Sequence, residues 1–160
     1  MQPIRVNIYT DGASRGNPGP GGYGIVMESG NLKKEFAEGF KKTTNNRMEL
    51  LAVIVALESL KRNDIVSVVY SDSKYVVDAV NQGWVFGWHK KGYKGKKNPD
   101  LWRRLLPLYQ KFKPKFVWIK GHSNHPQNER CDTLAVQAAL GGDLKPDVGY
   151  EEAQKSEGMF

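Results

Sequence analysis

Apolar and polar residues alternate from Ile4 to Asp11, with Ile4, Val6 and Ile8 on one face, which is the period of a half-buried strand. Glycine and proline then dominate Gly12 to Gly22 and predict a turn-rich loop. Tyr23–Met27 and Leu32–Phe40 read as two further strands joined by a turn at Ser29-Gly-Asn31, completing a three-stranded antiparallel meander. From Thr44 the period lengthens. Asn46-Arg-Met-Glu49 has the form of a capping box, with Asn46 as N-cap and Glu49 at N3. The run Leu50 to Leu57 is apolar on nearly every side, so this helix is expected to be buried over much of its length. Ile65–Tyr70 is almost continuously apolar, as a central strand parallel to the first would be. A helix through Tyr75–Val80 follows, then an irregular, aromatic and basic stretch over 84–98. Leu101–Phe112 predicts a helix, Lys115–Ile119 a short fifth strand, and Asn128–Leu140 a final amphipathic helix stopped by Gly141-Gly142. Strands first and alternating helix and strand afterwards make an α/β domain on a five-stranded mixed sheet, three antiparallel strands and then two parallel ones. No repeat and no second domain is visible. Residues 1–142 form the domain, and residues 143–160 are expected to be a loose acidic tail.

Composition narrows the function class. With 160 residues, 39% hydrophobic and 26% charged, the chain has the make-up of a single globular domain. No stretch approaches the roughly 18 apolar residues of a membrane span, and the N-terminus lacks the apolar run of a secretory signal. Cys131 is the only cysteine, so no intramolecular disulfide can form and a cytoplasmic location is expected. The net charge is +7 overall. The last twenty residues are net acidic, with Asp143, Asp147, Glu151, Glu152 and Glu157 against Lys145 and Lys155, so the rest carries about +10 and favours a polyanionic partner.

Asp11 and Asp72 share one address, each ending an apolar strand before a loop or helix. Open α/β sheets place ligand sites at the carboxyl ends of their strands. If those strands are neighbours the two carboxylates converge, which is unfavourable unless a proton or a cation lies between them. Capping is the competing explanation for each Asp alone, Asp72-Ser73 for the following helix included. Glu49 is likewise explained by the capping box, and Asp132 by the macrodipole at a helix start. A carboxylate set suits hard cations such as Mg²⁺ or Mn²⁺. Zinc would require His122, His125 and Cys131, a weak pattern.

Five motifs in order, Tyr9-Thr-Asp-Gly12, Gly16-Asn-Pro-Gly-Pro-Gly-Gly-Tyr-Gly24, Thr44-Asn-Asn-Arg-Met-Glu-Leu50, Ser71-Asp-Ser73, and Lys120-Gly-His122 with Asn128-Glu-Arg-Cys-Asp132, resemble type 1 ribonuclease H from about Ile4 to Leu140. The resemblance implies the ribonuclease H fold and hydrolysis of the RNA strand of an RNA–DNA hybrid, leaving 5′-phosphate and 3′-hydroxyl ends. It makes Asp11, Glu49, Asp72 and Asp132 the ligands of two Mg²⁺ ions, with Mn²⁺ a possible substitute. It makes His122 a mobile histidine that helps proton transfer or product release, and Glu129 an auxiliary acid. Two such ions can activate a water and stabilise the leaving oxygen, so no protein nucleophile is required.

The same resemblance places Asn17, Asn45 and Asn46 in the minor groove, against base edges and the ribose 2′-hydroxyls that distinguish RNA from DNA. Thr44 matches a hydroxyl that holds a DNA phosphate. The stretch from Trp84 to Lys97 looks like the family's basic protrusion, where Lys90, Lys91, Lys94, Lys96 and Lys97 meet phosphates and aromatic residues, Trp84, Trp88 and Tyr93, supply stacking surface. A chain with this grip is expected to act as a monomer. Lys74, Gly87 and Asn124 depart from the family pattern and bear on loop mobility and substrate grip. A catalytically silent hybrid-binding module and a DNA-directed nuclease of the same fold are the alternatives; the four acids speak against the first, the asparagine set and protrusion against the second.

Overall fold

A computed structural model describes residues 2–121 and 124–158. Strand β1 (Ile4–Ser14) pairs antiparallel with β2 (Gly19–Ser29), which pairs antiparallel with β3 (Leu32–Thr43). On its other side β1 runs parallel to β4 (Ile65–Ser71), and β4 runs parallel to β5 (Lys115–Trp118), giving the order β3-β2-β1-β4-β5. The helices are α1 (Asn45–Glu58), α2 (Lys74–Asn81), α3 (Trp84–Lys90), α4 (Pro99–Phe112), α5 (Pro126–Leu140) and α6 (Val148–Gly158). The mixed five-stranded sheet expected from the sequence is therefore present, with its central strands β1 and β4 parallel.

Alternation along the strands divides the core between two faces. Ile8 and Ile25 join a large cluster with α1, α2 and α4, in which Met48, Leu50, Ile54, Leu57 and Trp102 are fully buried. Helix α1 is wrapped on nearly all sides, as its apolar sequence requires. Tyr9 and Val26 face the other way, against Cys131 of α5. Glycines seat that helix: a Cβ on Gly22 would come within 2.5 Å of the Ala135 carbonyl, and one on Gly24 or Gly39 would run into the backbone of α5.

Four local expectations are corrected. Gly12–Gly22 is not all loop, because Gly12, Ala13 and Ser14 pair with Tyr23, Gly22 and Gly21; backbone pairing needs no side chain, so glycines extend the ladder. The cap of α1 is Thr44, whose hydroxyl accepts from Arg47 N at 3.2 Å, and not Asn46, because β3 runs on to Thr43. Residues 84–98 are not wholly irregular, since α3 occupies Trp84–Lys90. Residues 143–150 are docked, not loose. Lys145 bridges Phe40 in parallel, and Asp147 is buried against Thr43 Oγ1 and the Arg47 guanidinium. The local charge pattern hides this, since the partner of Asp147 lies 100 residues away.

Candidate metal centre and nucleic-acid interface

The parallel register of β1 and β4 pairs Tyr9 with Tyr70. Two residues further on stand Asp11, within β1, and Asp72, directly after β4, so the acids emerge side by side where the parallel pairing ends. Glu49, in the second turn of α1, completes the group: one carboxylate oxygen from each of Asp11, Glu49 and Asp72 lies within 4.8 Å of the others. Asp132 of α5 lines the same cavity of about 450 Å³, together with Asn45, Asn46, Lys74 and Tyr75. The Ser73 hydroxyl accepts from Val76 N at 3.3 Å and caps α2.

The electrostatics follow from burial. Desolvation pushes the Asp11 carboxyl up to about 7; a hydrogen bond with Glu49 works against the rise, and the charges of Asp72 and Asp132 add to it. Glu49 is more deeply buried and is raised well above the ordinary carboxylate range, by desolvation first and by the charge of Asp11 second. Gly12 N donates to Asp11 Oδ1 at 2.9 Å and fixes that carboxylate. A side chain at Gly12 would collide with the backbone of Met48 and Glu49, so glycine here sets β1 directly against the acid-bearing turn of α1. Buried Glu49 Oε2 has no hydrogen-bond partner among the described residues. A desolvated oxygen aimed into an all-oxygen donor set is the environment that a hard divalent cation satisfies.

The histidine–cysteine alternative lacks its thiolate. Cys131 is buried, its thiol donates to the Tyr9 carbonyl at 3.2 Å, and burial pushes its pKa far up, the reverse of what a thiolate ligand needs. His125 precedes α5 at the N-cap position without a side-chain cap bond, its ring 5.4 Å from that of Tyr9. His122 lies outside the described residues. Glu129 is exposed on the first turn of α5.

The expected contact residues divide into two groups. Asn17 accepts from Asn45 N at 3.1 Å, tying the β1–β2 loop to the start of α1, where Thr44, Asn45 and Asn46 follow one another. In the basic stretch Lys90, Lys91, Lys94, Lys96 and Lys97 are all exposed, and Trp84 is 51% exposed. The other aromatic residues are not open platforms. Trp88 is half-buried against Trp102 at 5.8 Å, with Lys96 Nζ 5.1 Å above its ring. Tyr93, 3% exposed, sits under the Arg103 guanidinium and cannot offer a stacking face. Sequence reasoning overlooked Arg47, Asn98 and Tyr75. Their signal was slight, since an arginine inside an asparagine-rich motif reads as surface.

The RNase H family model matches residues 3–140. Among curated relatives, the Ribonuclease H of Lachnoclostridium phytofermentans is 54% identical over 155 residues, covering 90% of this chain and 98% of that protein. The Ribonuclease H of Trichodesmium erythraeum is 52% identical over 151 residues, covering 91% and 96%. Among solved structures, LC9-RNase H1, described as a type 1 RNase H with the type 2 active-site motif, superposes with a TM-score of 0.78 at 31% identity, over 89% of this chain and 75% of that one. LC11-RNase H1 in complex with an RNA/DNA hybrid gives a TM-score of 0.68 at 28% identity, over 84% and 96%. With a matching fold, a carboxylate cluster at the sheet's carboxyl end and relatives of this closeness over nearly the whole length, the chain belongs to the ribonuclease H family.

Proposed function

We propose that Asp11, Glu49, Asp72 and Asp132 together hold two Mg²⁺ ions, Mn²⁺ serving as a substitute, at the phosphodiester of a bound RNA–DNA hybrid. The enzyme is an endoribonuclease H that cleaves the RNA strand of such hybrids. The observation that carries the metal assignment is the convergence of three carboxylates with an unpartnered, buried Glu49 Oε2 among them. Bound divalent ions supply a nucleophilic water and offset charge on the leaving oxygen. The chain's own part is positional. Asp11 stands on β1, Asp72 directly after β4, Glu49 on a fully packed helix, and Asp132 on a helix seated against glycines, so the donor set is rigid before substrate arrives.

Asn17, Asn45 and Asn46, linked by the Asn45–Asn17 hydrogen bond, present amides to ribose 2′-hydroxyls and base edges, and Thr44 lies beside a DNA phosphate. The five exposed lysines and Trp84 bind the backbone, Trp88 acting as the perch of Lys96. His122 serves proton transfer or product release, as its motif implies. Residues of one chain line the acidic cavity, so a monomer suffices; no helix among the described residues is long and apolar enough to cross a membrane.

End-labelled cleavage tests this reading. A hybrid is offered in Mg²⁺ beside duplex RNA, duplex DNA and single strands, with EDTA as control. Only the RNA strand of the hybrid is expected to be cut, and EDTA is expected to stop it; binding without cutting in either Mg²⁺ or Mn²⁺ would replace the enzyme by a binding module. For the protrusion, Lys96→Ala with Lys97→Ala is expected to lower the slope of log K against log salt by about 2, roughly one per lost phosphate contact. An unchanged slope would remove these lysines from the interface.

A further inference from the structure

Arg47 is the most completely coordinated polar side chain described. It is 3% exposed, and a guanidinium has five N–H donors. Nε and Nη2 reach the two Asp147 oxygens at 2.7 and 2.9 Å, Nη1 and Nη2 reach the two Asp100 oxygens at 2.9 and 2.7 Å, and Nη1 also reaches Asn98 Oδ1 at 3.3 Å. Five donors meet five acceptors. A lysine, with three donors on one atom, cannot keep both two-point carboxylate pairs and Asn98 together.

The geometry points to Arg47 as a positioning residue that fixes the lysine-bearing loop relative to the acid-bearing helix. Asn98 ends that loop and caps α4, and its backbone is left-handed, with φ of 62°. Its side chain is held from both sides: the oxygen accepts from Arg47, and Nδ2 donates to Tyr75 Oη at 3.0 Å. Tyr75 lines the acidic cavity, and its hydroxyl also accepts from Trp102 Nε1 at 3.1 Å. Arg47 itself lies between Asn46 and Glu49 in the first turns of α1. The hybrid is stiff, so lysines and acids can engage one duplex only if their separation is set in advance, and the Arg47–Asn98 hydrogen bond sets it. This inference rests on the lysine-protrusion reading above.

The test uses Arg47→Lys, Asn98→Gly, which relieves the left-handed backbone while removing the amide, and the double variant, all assayed well below their melting temperatures. Each single variant is expected to raise KM about tenfold, the size of one lost hydrogen bond to a charged group, with kcat held within about twofold. Each is also expected to lower the salt slope, because fewer lysines engage at once. The double variant should be no worse than the weaker single, since both cut one link. A fall in melting temperature with KM and salt slope unchanged would overturn the inference and leave Arg47 a structural ion cluster. Additive losses would overturn the route through Asn98. If the Lys96/Lys97 variant leaves the salt slope unchanged, the protrusion reading itself fails and this inference with it.

Discussion

Asp11→Asn is expected to lower hybrid cleavage by about a thousandfold or more and, in EDTA at about pH 8, to raise the melting temperature. The first effect follows from losing a ligand whose metal contribution amounts to several kcal/mol of transition-state stabilisation. The second follows from the pKa of Asp11, which burial and its acidic neighbours lift from 3.8 to about 7. Between those values the folded protein holds a proton that the unfolded chain has released. The stability this represents is complete below the unfolded pKa and is lost as pH rises through the folded one. An amide removes the penalty. Because the carboxyl shares its hydrogen bond with Glu49, the gain is on the order of 2 kcal/mol, or about 5 °C for a chain of this length. Melting at about pH 5 should show less than half of that difference, and it should close only near the unfolded value of 3.8. An equal or lower melting temperature for Asp11→Asn at about pH 8 would contradict the crowded-acid account.

Gly24→Ala should damage the fold as severely as any single methyl group can. Its Cβ would strike the Cys131 carbonyl and lie 2.8 Å from Leu134 Cβ and 3.0 Å from Ala135 N, two of these being backbone atoms that no rotamer change can move. Helix α5 must lift away from β2, at about 3 kcal/mol, or roughly 10 °C in melting temperature. Asp132 travels with the helix, so a loss of activity on the order of 10²-fold should accompany the loss of stability. Gly142→Ala, where an added Cβ meets nothing within 4 Å, is the control and should melt within about 2 °C of the parent. Equal melting temperatures for the two variants would show that α5 is not seated as described.

Much of this frame was legible in the sequence where a period or an uninterrupted run sets burial. The alternation at Ile4–Ile8 and the apolar run at Ile65–Tyr70 placed the two central strands, and their ends placed Asp11 and Asp72 together. What the sequence concealed depends on contacts distant along the chain. Thr44, Asn45 and Asn46 are all acceptable caps, and only the end of β3 selects Thr44. Tyr93 stands among lysines and glycines and reads as exposed, yet Arg103 and the Trp88 carbonyl draw it inward. Arg47 reads as a surface base because both its counter-charges lie fifty or more residues away.

The docking of residues 145–150 also decides where this chain can be cut or extended. Beyond Tyr150, Glu152 to Glu157 are exposed on α6, so an affinity tag, a fusion partner or a surface tether attached there meets only solvent-facing helix. Shortening the chain ahead of Asp147 is different in kind. It leaves a guanidinium in a dry interior without one of its two carboxylates, a defect of about 3–5 kcal/mol. Immobilised or fused forms of the enzyme therefore belong on the outer turns of α6, and minimal versions should keep the chain through Tyr150.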